Sequence, residues 1–127
     1  TKSRQLTYTS AGINVPPLII KSTGEILEMK IEGFPICKLG NFYMPYFEDI
    51  SIQLNVGDIV LFYTDGLVEY SNENGIMYSH NDLKDFLTKH YSMKASELYS
   101  AIKENLFKKI GNKKISDDVT FLIMEIH

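Results

Sequence analysis

The residue types most able to do chemistry sit in two short acidic motifs, Asp65-Gly66 and Asp117-Asp118. Asp65 directly follows the apolar run 59–64, and the Asp pair directly precedes a second run, 119–126. If both runs are strands and antiparallel neighbours, the end of one lies beside the start of the other. The three carboxylates then converge on one rim of a sheet. Carboxylates held that close repel one another, and without a cation one of them tends to stay protonated. A hard divalent cation removes the conflict, and oxygen-only ligands suit Mg²⁺ or Mn²⁺. Gly66 would let the backbone approach such an ion or its waters closely. The alternative is purely structural: Asp-Gly is a common turn dipeptide, and Ser116-Asp117-Asp118 can simply cap or precede a strand. On chemistry alone both readings stay open.

Other chemistry-bearing residues form no comparable pattern. Cys37 stands alone, which leaves no internal disulfide and no cysteine-built zinc site and fits a reducing compartment. His80, His90 and His127 are scattered without metal-ligand spacing and read as surface or core histidines. With 13 Lys plus Arg against 16 Asp plus Glu, the formal charge of -3 gives no electrostatic reason to expect nucleic acid or an anionic membrane as partner. No apolar run approaches the roughly 20 residues a membrane helix requires. The first residue is Thr1 and a strand-like stretch begins almost at once, so a piece of a longer protein is expected.

The elements that must position the acidic motifs follow from hydrophobic period and turn chemistry. Residues 6–9 and 18–20 read as short strands around the turn-rich segment 10–17. Ser22-Thr23-Gly24 then marks a tight turn leading to a strand at 26–31, a hairpin pattern. Residues 33–40 read as irregular, because Pro35 forbids central strand pairing. Ile50, Ile52 and Leu54 alternate with polar residues like a half-buried strand, and 55–58 supply a turn. Residues 59–63 are continuously apolar, as in a strand buried on both faces, and 119–126 are a similar run. Between these runs lie two helices. Leu83, Phe86, Leu87 and His90 make one stripe, with Asn81 as N-cap. Leu98, Ala101, Ile102, Asn105 and Leu106 make the other, which Gly111 ends. Lys103, Lys108 and Lys109 read as the solvated face and dipole end of that second helix rather than a nucleic-acid patch. Strands, two helices and a last strand predict an α+β domain with antiparallel sheet, without repeats or a linker.

The string Tyr63-Thr64-Asp65-Gly66-Leu67-Val68-Glu69 resembles the signature of the bacterial PPM phosphatases typified by sporulation stage II protein E. Collinear matches extend on both sides. Residues 11–18, Ala-Gly-Ile-Asn-Val-Pro-Pro-Leu, resemble the family's Ala-Gly-His-Asn-Pro-Pro-Leu segment, and Gly33-Phe34-Pro35-Ile36 its Gly-x-Pro-Leu loop. Leu54-Asn55-Val56-Gly57-Asp58 resembles its Leu-x-Pro-Gly-Asp turn, Asn72-Glu73-Asn74-Gly75 its polar turn after the Asp-Gly strand, and Asp117-Asp118-Val119-Thr120 its closing Asp-Asp-x-Thr motif. Ile13 and Cys37 depart from the family pattern, at positions that are not metal ligands. The family's Gly-Asp-x-x-Asp motif, which bridges both metals, is absent from this chain.

The resemblance implies an antiparallel β-sandwich flanked by helices, with residues 1–127 as the C-terminal portion of one PPM-type domain, incomplete at its N-terminus. It implies two Mn²⁺ or Mg²⁺ ions that activate a water for attack on a phosphoserine or phosphothreonine. Asp65 and Asp117 match metal-binding positions, Asp118 a secondary one, and Gly66 accompanies them. The implied substrate is a phosphorylated anti-sigma-factor antagonist, and the implied location the cytoplasm, as a free protein or as part of a membrane-attached one. No nucleic acid and no direct membrane binding are expected. Phosphate monoesters demand accelerations up to ~10²¹-fold, so a chain with half a metal site is expected to be inactive alone and to self-associate through exposed sheet edges. The competing expectation is a non-catalytic interaction module of the same fold. A small ligand-binding sensor domain is a weaker third, since no cofactor-binding His or Cys pattern is present.

Overall fold

Ile59–Tyr63 is a strand covered on both faces, and the rest of the architecture is arranged around it. In the computed structural model, residues 3–37, 46–72, 74–75, 77–112 and 117–127 are described. The strands are β1 (Gln5–Tyr8), β2 (Leu18–Ile20), β3 (Ile26–Glu28), β4 (Ile50–Gln53), β5 (Ile59–Tyr63), β6 (Tyr70–Ser71), β7 (Met77–Tyr78) and β8 (Phe121–Glu125), with helices α1 (His80–Lys89) and α2 (Ala95–Ile110) before the last strand. The larger sheet has the order β3-β2-β5-β8, entirely antiparallel. Two smaller antiparallel pairs, β1-β4 and β6-β7, complete the set.

Alternation along β5 divides the core into two layers. Ile59, Leu61 and Tyr63 join Leu18, Ile20 and the helix residues Leu83, Leu87, Leu98, Ile102, Leu106 and Ile110. Val60 and half-buried Phe62 face the other way, with Ile19, Met29 and Leu54, against Leu6, Tyr8 and Ile52 of the β1-β4 pair. The layers are therefore helices, four-stranded sheet and two-stranded sheet, the sandwich with flanking helices that the family resemblance implies. Each fully buried Leu or Ile contributes about 1.5–3 kcal/mol through desolvation, which is why both faces of β5 must be covered.

The predicted hairpin forms: Ile20 pairs with Ile26, the Lys21 amide donates to Glu25 O, and Gly24 takes φ +92 in the turn. Its second strand stops at Glu28 and does not continue to residue 31. Helix α2 ends as expected at Gly111, whose φ of +67 closes it. Helix α1 begins earlier than its apolar stripe suggests. Its N-cap is Ser79, not Asn81, because Ser79 and Asp82 make a reciprocal capping box: the Asp82 amide donates to Ser79 Oγ and the Ser79 amide to Asp82 Oδ2. The last strand spans Phe121–Glu125 rather than 119–126, and it is not buried on both faces. β8 lies at the sheet edge, and Leu122 on its β1-β4 side remains 62% exposed, since that two-stranded layer stops short of it. Residues 38–40, Glu73 and Ser116, which belong to segments read above, lie outside the described residues.

Candidate metal centre

The register of β5 against β8 decides where the acidic motifs go. Tyr63 pairs with Phe121, so the chain leaving β5 at Thr64 runs beside the chain entering β8 at Thr120. The Thr64 amide donates to Thr120 O at 3.0 Å, and the Thr120 amide donates to Thr64 Oγ1 at 3.1 Å. The Thr64 hydroxyl donates in turn to Asp118 O at 3.1 Å. Thr64 thus clamps the start of β8 to the end of β5, and Asp65 and Asp117-Asp118 lie at the same rim, as their placement in the sequence predicts.

Gly66 makes the convergence possible. A Cβ at this position would lie 2.4 Å from Asp118 O, so only glycine lets the Asp65–Leu67 turn close against the Asp118 backbone. Its role here is close approach of two chain segments. Asp65 is half-buried, and its carboxylate is oriented from two sides. Oδ1 accepts from the Gly66 amide at 2.9 Å, and Oδ2 accepts from Asn14 Nδ2. Asp117 and Asp118 are exposed, and Asp117 Oδ1 accepts the Asp118 amide at 2.8 Å.

Asn14 is the site residue that residue chemistry did not single out. It lies in the loop between β1 and β2, and a neutral amide carries no signal of a metal site. The only sign was its place in the Ala-Gly-x-Asn string. That string also meets the Gly-x-Pro loop in space: a Cβ on Gly12 would lie 2.6 Å from the Pro35 backbone, and one on Gly33 2.2 Å from Ser10 O. Motifs separated along the chain therefore pack together beside Asp65.

The donor set consists of oxygens only and suits a hard divalent cation in type. It falls short in number. Among the described residues, no group of three or more His, Cys, Asp or Glu side chains is arranged to hold a metal ion. Among the same residues, none of Asp65, Asp117 and Asp118 takes part in a salt bridge. A cleft of about 590 Å³ opens between α2 and β8 beside the rim, lined by Tyr99, Lys103, Phe107, Asp117 and Asp118 among others.

A sandwich with this strand order, carrying aspartates at the β5–β8 rim, has the fold of PP2C-type protein phosphatase domains. The SiaA PP2C domain of Pseudomonas aeruginosa superposes with a TM-score of 0.81 at 23% identity, over 99% of this chain and 48% of that one. The chain belongs to the family described as Stage II sporulation protein E (SpoIIE), whose model matches residues 1–127. The phosphoserine phosphatase RsbU of Bacillus subtilis (strain 168) is 23% identical over 120 residues, covering 94% of this chain and 34% of RsbU. The structure of the RsbU and RsbW domains of Rv1364c from Mycobacterium tuberculosis is 30% identical with a TM-score of 0.76, over 97% of this chain and 32% of that chain. This chain therefore spans from about a third to about a half of the length of these relatives. No helix among the described residues is long and apolar enough to cross a membrane.

Proposed function

We propose that this chain is the C-terminal portion of a metal-dependent protein serine/threonine phosphatase domain and contributes one side of its metal site. The observation that carries the reading is the Gly66–Asp118 contact, which holds Asp65 and Asp117-Asp118 at one rim, where none of the three carboxylates has a salt-bridge partner among the described residues. Asp65 and Asp117 would be ligands of Mn²⁺ or Mg²⁺, and Asp118 would ligate secondarily or orient a water. Among solved relatives of the class, one is a magnesium complex and another was presoaked with manganese. Cations bound there would supply Lewis acidity toward a phosphate monoester. Asn14 and the Gly66 amide orient the Asp65 carboxylate, and Thr64 fixes its distance from Asp118. The carboxylates still needed come from the part of the domain that this chain does not span, so residues 1–127 alone hydrolyse no phosphopeptide.

The proposed substrate is a phosphorylated protein of the anti-sigma-factor antagonist type, in the cytoplasm. Support comes from the RsbU likeness and from Rv1364c, whose solved chain joins an RsbU domain to an RsbW domain. The test is calorimetric titration of Mn²⁺ into the complete domain and its Asp65→Asn variant, alongside turnover of a phosphoserine peptide. Affinity and turnover should each fall by more than about 10-fold in the variant, since even groups behind the ligands carry effects of that size. Equal heats would remove Asp65 from the site. Metal binding without turnover would favour the non-catalytic interaction module.

A further inference from the structure

A second constellation lies directly behind the rim. Tyr63, the last residue of β5, has its side chain on the helix side of the sheet, where the residue is only 3% exposed. Its hydroxyl lies 2.6 Å from Nδ1 of His80, the first residue of α1. His80 Nε2 lies 3.1 Å from Glu28 Oε1 at the end of β3, and Lys84 Nζ reaches the same oxygen at 2.9 Å from one turn further along α1. Three elements thus meet at one imidazole. Glu28 can only accept, so Nε2 carries a hydrogen, and Nδ1 is then free to accept from the Tyr63 hydroxyl. That hydroxyl is buried, and burial, with the Glu28 charge adding to it, pushes its pKa far up, so it keeps its proton.

We propose that His80 is a positioning residue: through Tyr63 it fixes the end of β5 and so the placement of the Thr64-Asp65-Gly66 corner against Asp118. The mechanical path is short. The Tyr63 main chain lies in the ladder opposite Phe121, and the next residue is the clamp between the two strands. A Tyr63 ring free to turn in its pocket would loosen the point from which the Asp65 turn departs. The groups facing His80 are Tyr63 from β5, Glu28 from β3 and Lys84 along α1, while Asp82 in the same first turn is engaged by Ser79. Removing the imidazole would take away the partner of a buried O–H, and a buried donor left without one is costly, so the ring would shift to find another.

For metal affinity and turnover the inference rests on the reading of the rim given above; for backbone placement it does not. The test uses the complete domain, metal-free and ¹⁵N-labelled. In the His80→Ala variant the Gly66 and Asp118 amide resonances should move, Mn²⁺ affinity should weaken, and kcat should drop on the order of 10-fold with KM little changed. In His80→Asn, a side-chain oxygen can still accept from Tyr63, so those resonances should return toward wild type. Tyr63→Phe removes only the hydroxyl, so it serves where His80→Ala fails to fold and should reproduce its shifts. Unmoved Gly66 and Asp118 amides in folded His80→Ala or Tyr63→Phe would overturn the proposal. Equal displacement in His80→Ala and His80→Asn would do the same. A wild-type domain that binds no Mn²⁺ would sink the phosphatase reading and leave the amide comparison decisive.

Discussion

At the scale of single residues, the acidic motifs could be read because strand ends are predictable from apolar runs and because carboxylates carry their own signal. Gly66 was legible only as a small residue beside Asp65. That it lies against the Asp118 backbone is a fact of tertiary packing, invisible to local chemistry. Gly66→Ala forces a Cβ into a space bounded by a main-chain oxygen 2.4 Å away, where no flexible neighbour can yield. We expect a loss of about 2 kcal/mol, within the usual range for overpacking, measured by urea unfolding of the complete domain, with weaker Mn²⁺ binding. Asp58 offers a second residue-level test. It is fully buried, and burial alone would raise its pKa. The Lys21 ammonium and the Asn55 and Ser22 amides outweigh that and hold the carboxyl below the usual carboxylate range. A group with a lowered folded pKa stabilises the fold above its unfolded value of about 3.9 and ceases to do so as pH falls through the folded value. Asp58→Asn should therefore be less stable at neutral pH and lose less stability on acidification below about pH 4. Parallel wild-type and variant melting curves across that range would contradict the assignment.

At the scale of elements, hairpin β2-β3, strand β5 and both helices follow from period and turn residues, and their local signals agree with the tertiary structure. Two features escaped for physical reasons. The β6-β7 ladder has two residues per strand, and Tyr70 stacks on Tyr78 with ring centroids 4.9 Å apart; so short a ladder leaves no period to detect. Helix α1 begins at a capping box whose Ser-x-x-Asp spacing precedes the apolar stripe, so an N-cap sought next to the stripe fell two residues late. Ser79→Ala should cost the complete domain about 1 kcal/mol, the ordinary value of a lost N-cap. Because His80 is the next residue, the same variant should disturb the Gly66 amide more than substitutions at the other end of α1 do. A melting temperature equal to wild type would show that the cap is dispensable.

At the scale of the whole molecule, the pairing of β1 with β4 and the coverage of β8 depend on how distant segments stack, and no local pattern encodes them. The run 119–126 looks like the run 59–63, yet one strand is central and the other peripheral. Position in the sheet sets that difference, and residue type does not. The exposed side of β8 has a structural consequence for the chain in isolation. Leu122 and half-buried Phe62 present apolar surface, and β8 has one strand neighbour among the described residues. Open edges next to apolar surface favour strand addition. Light scattering of the isolated 127-residue chain should show dimers or larger species that grow with concentration, and Leu122→Lys should reduce them. A monomer at high concentration would contradict this.

The Thr64–Asp118 clamp also bears on the order in which the molecule comes into being. Its two sides are 54 residues apart along the chain. Closing a span of that length costs about 3.5 kcal/mol from the logarithmic entropy term alone, before any contact offsets it. Helices α1 and α2 form from near neighbours and take up much of the intervening chain, which lets β8 find β5. Long-range pairing of this kind comes late in folding. The acidic rim is therefore absent from any nascent chain that lacks β8, in which Asp65 has not yet met Asp117 and Asp118. The fold itself delays the meeting of these three carboxylates until the sheet around them is complete.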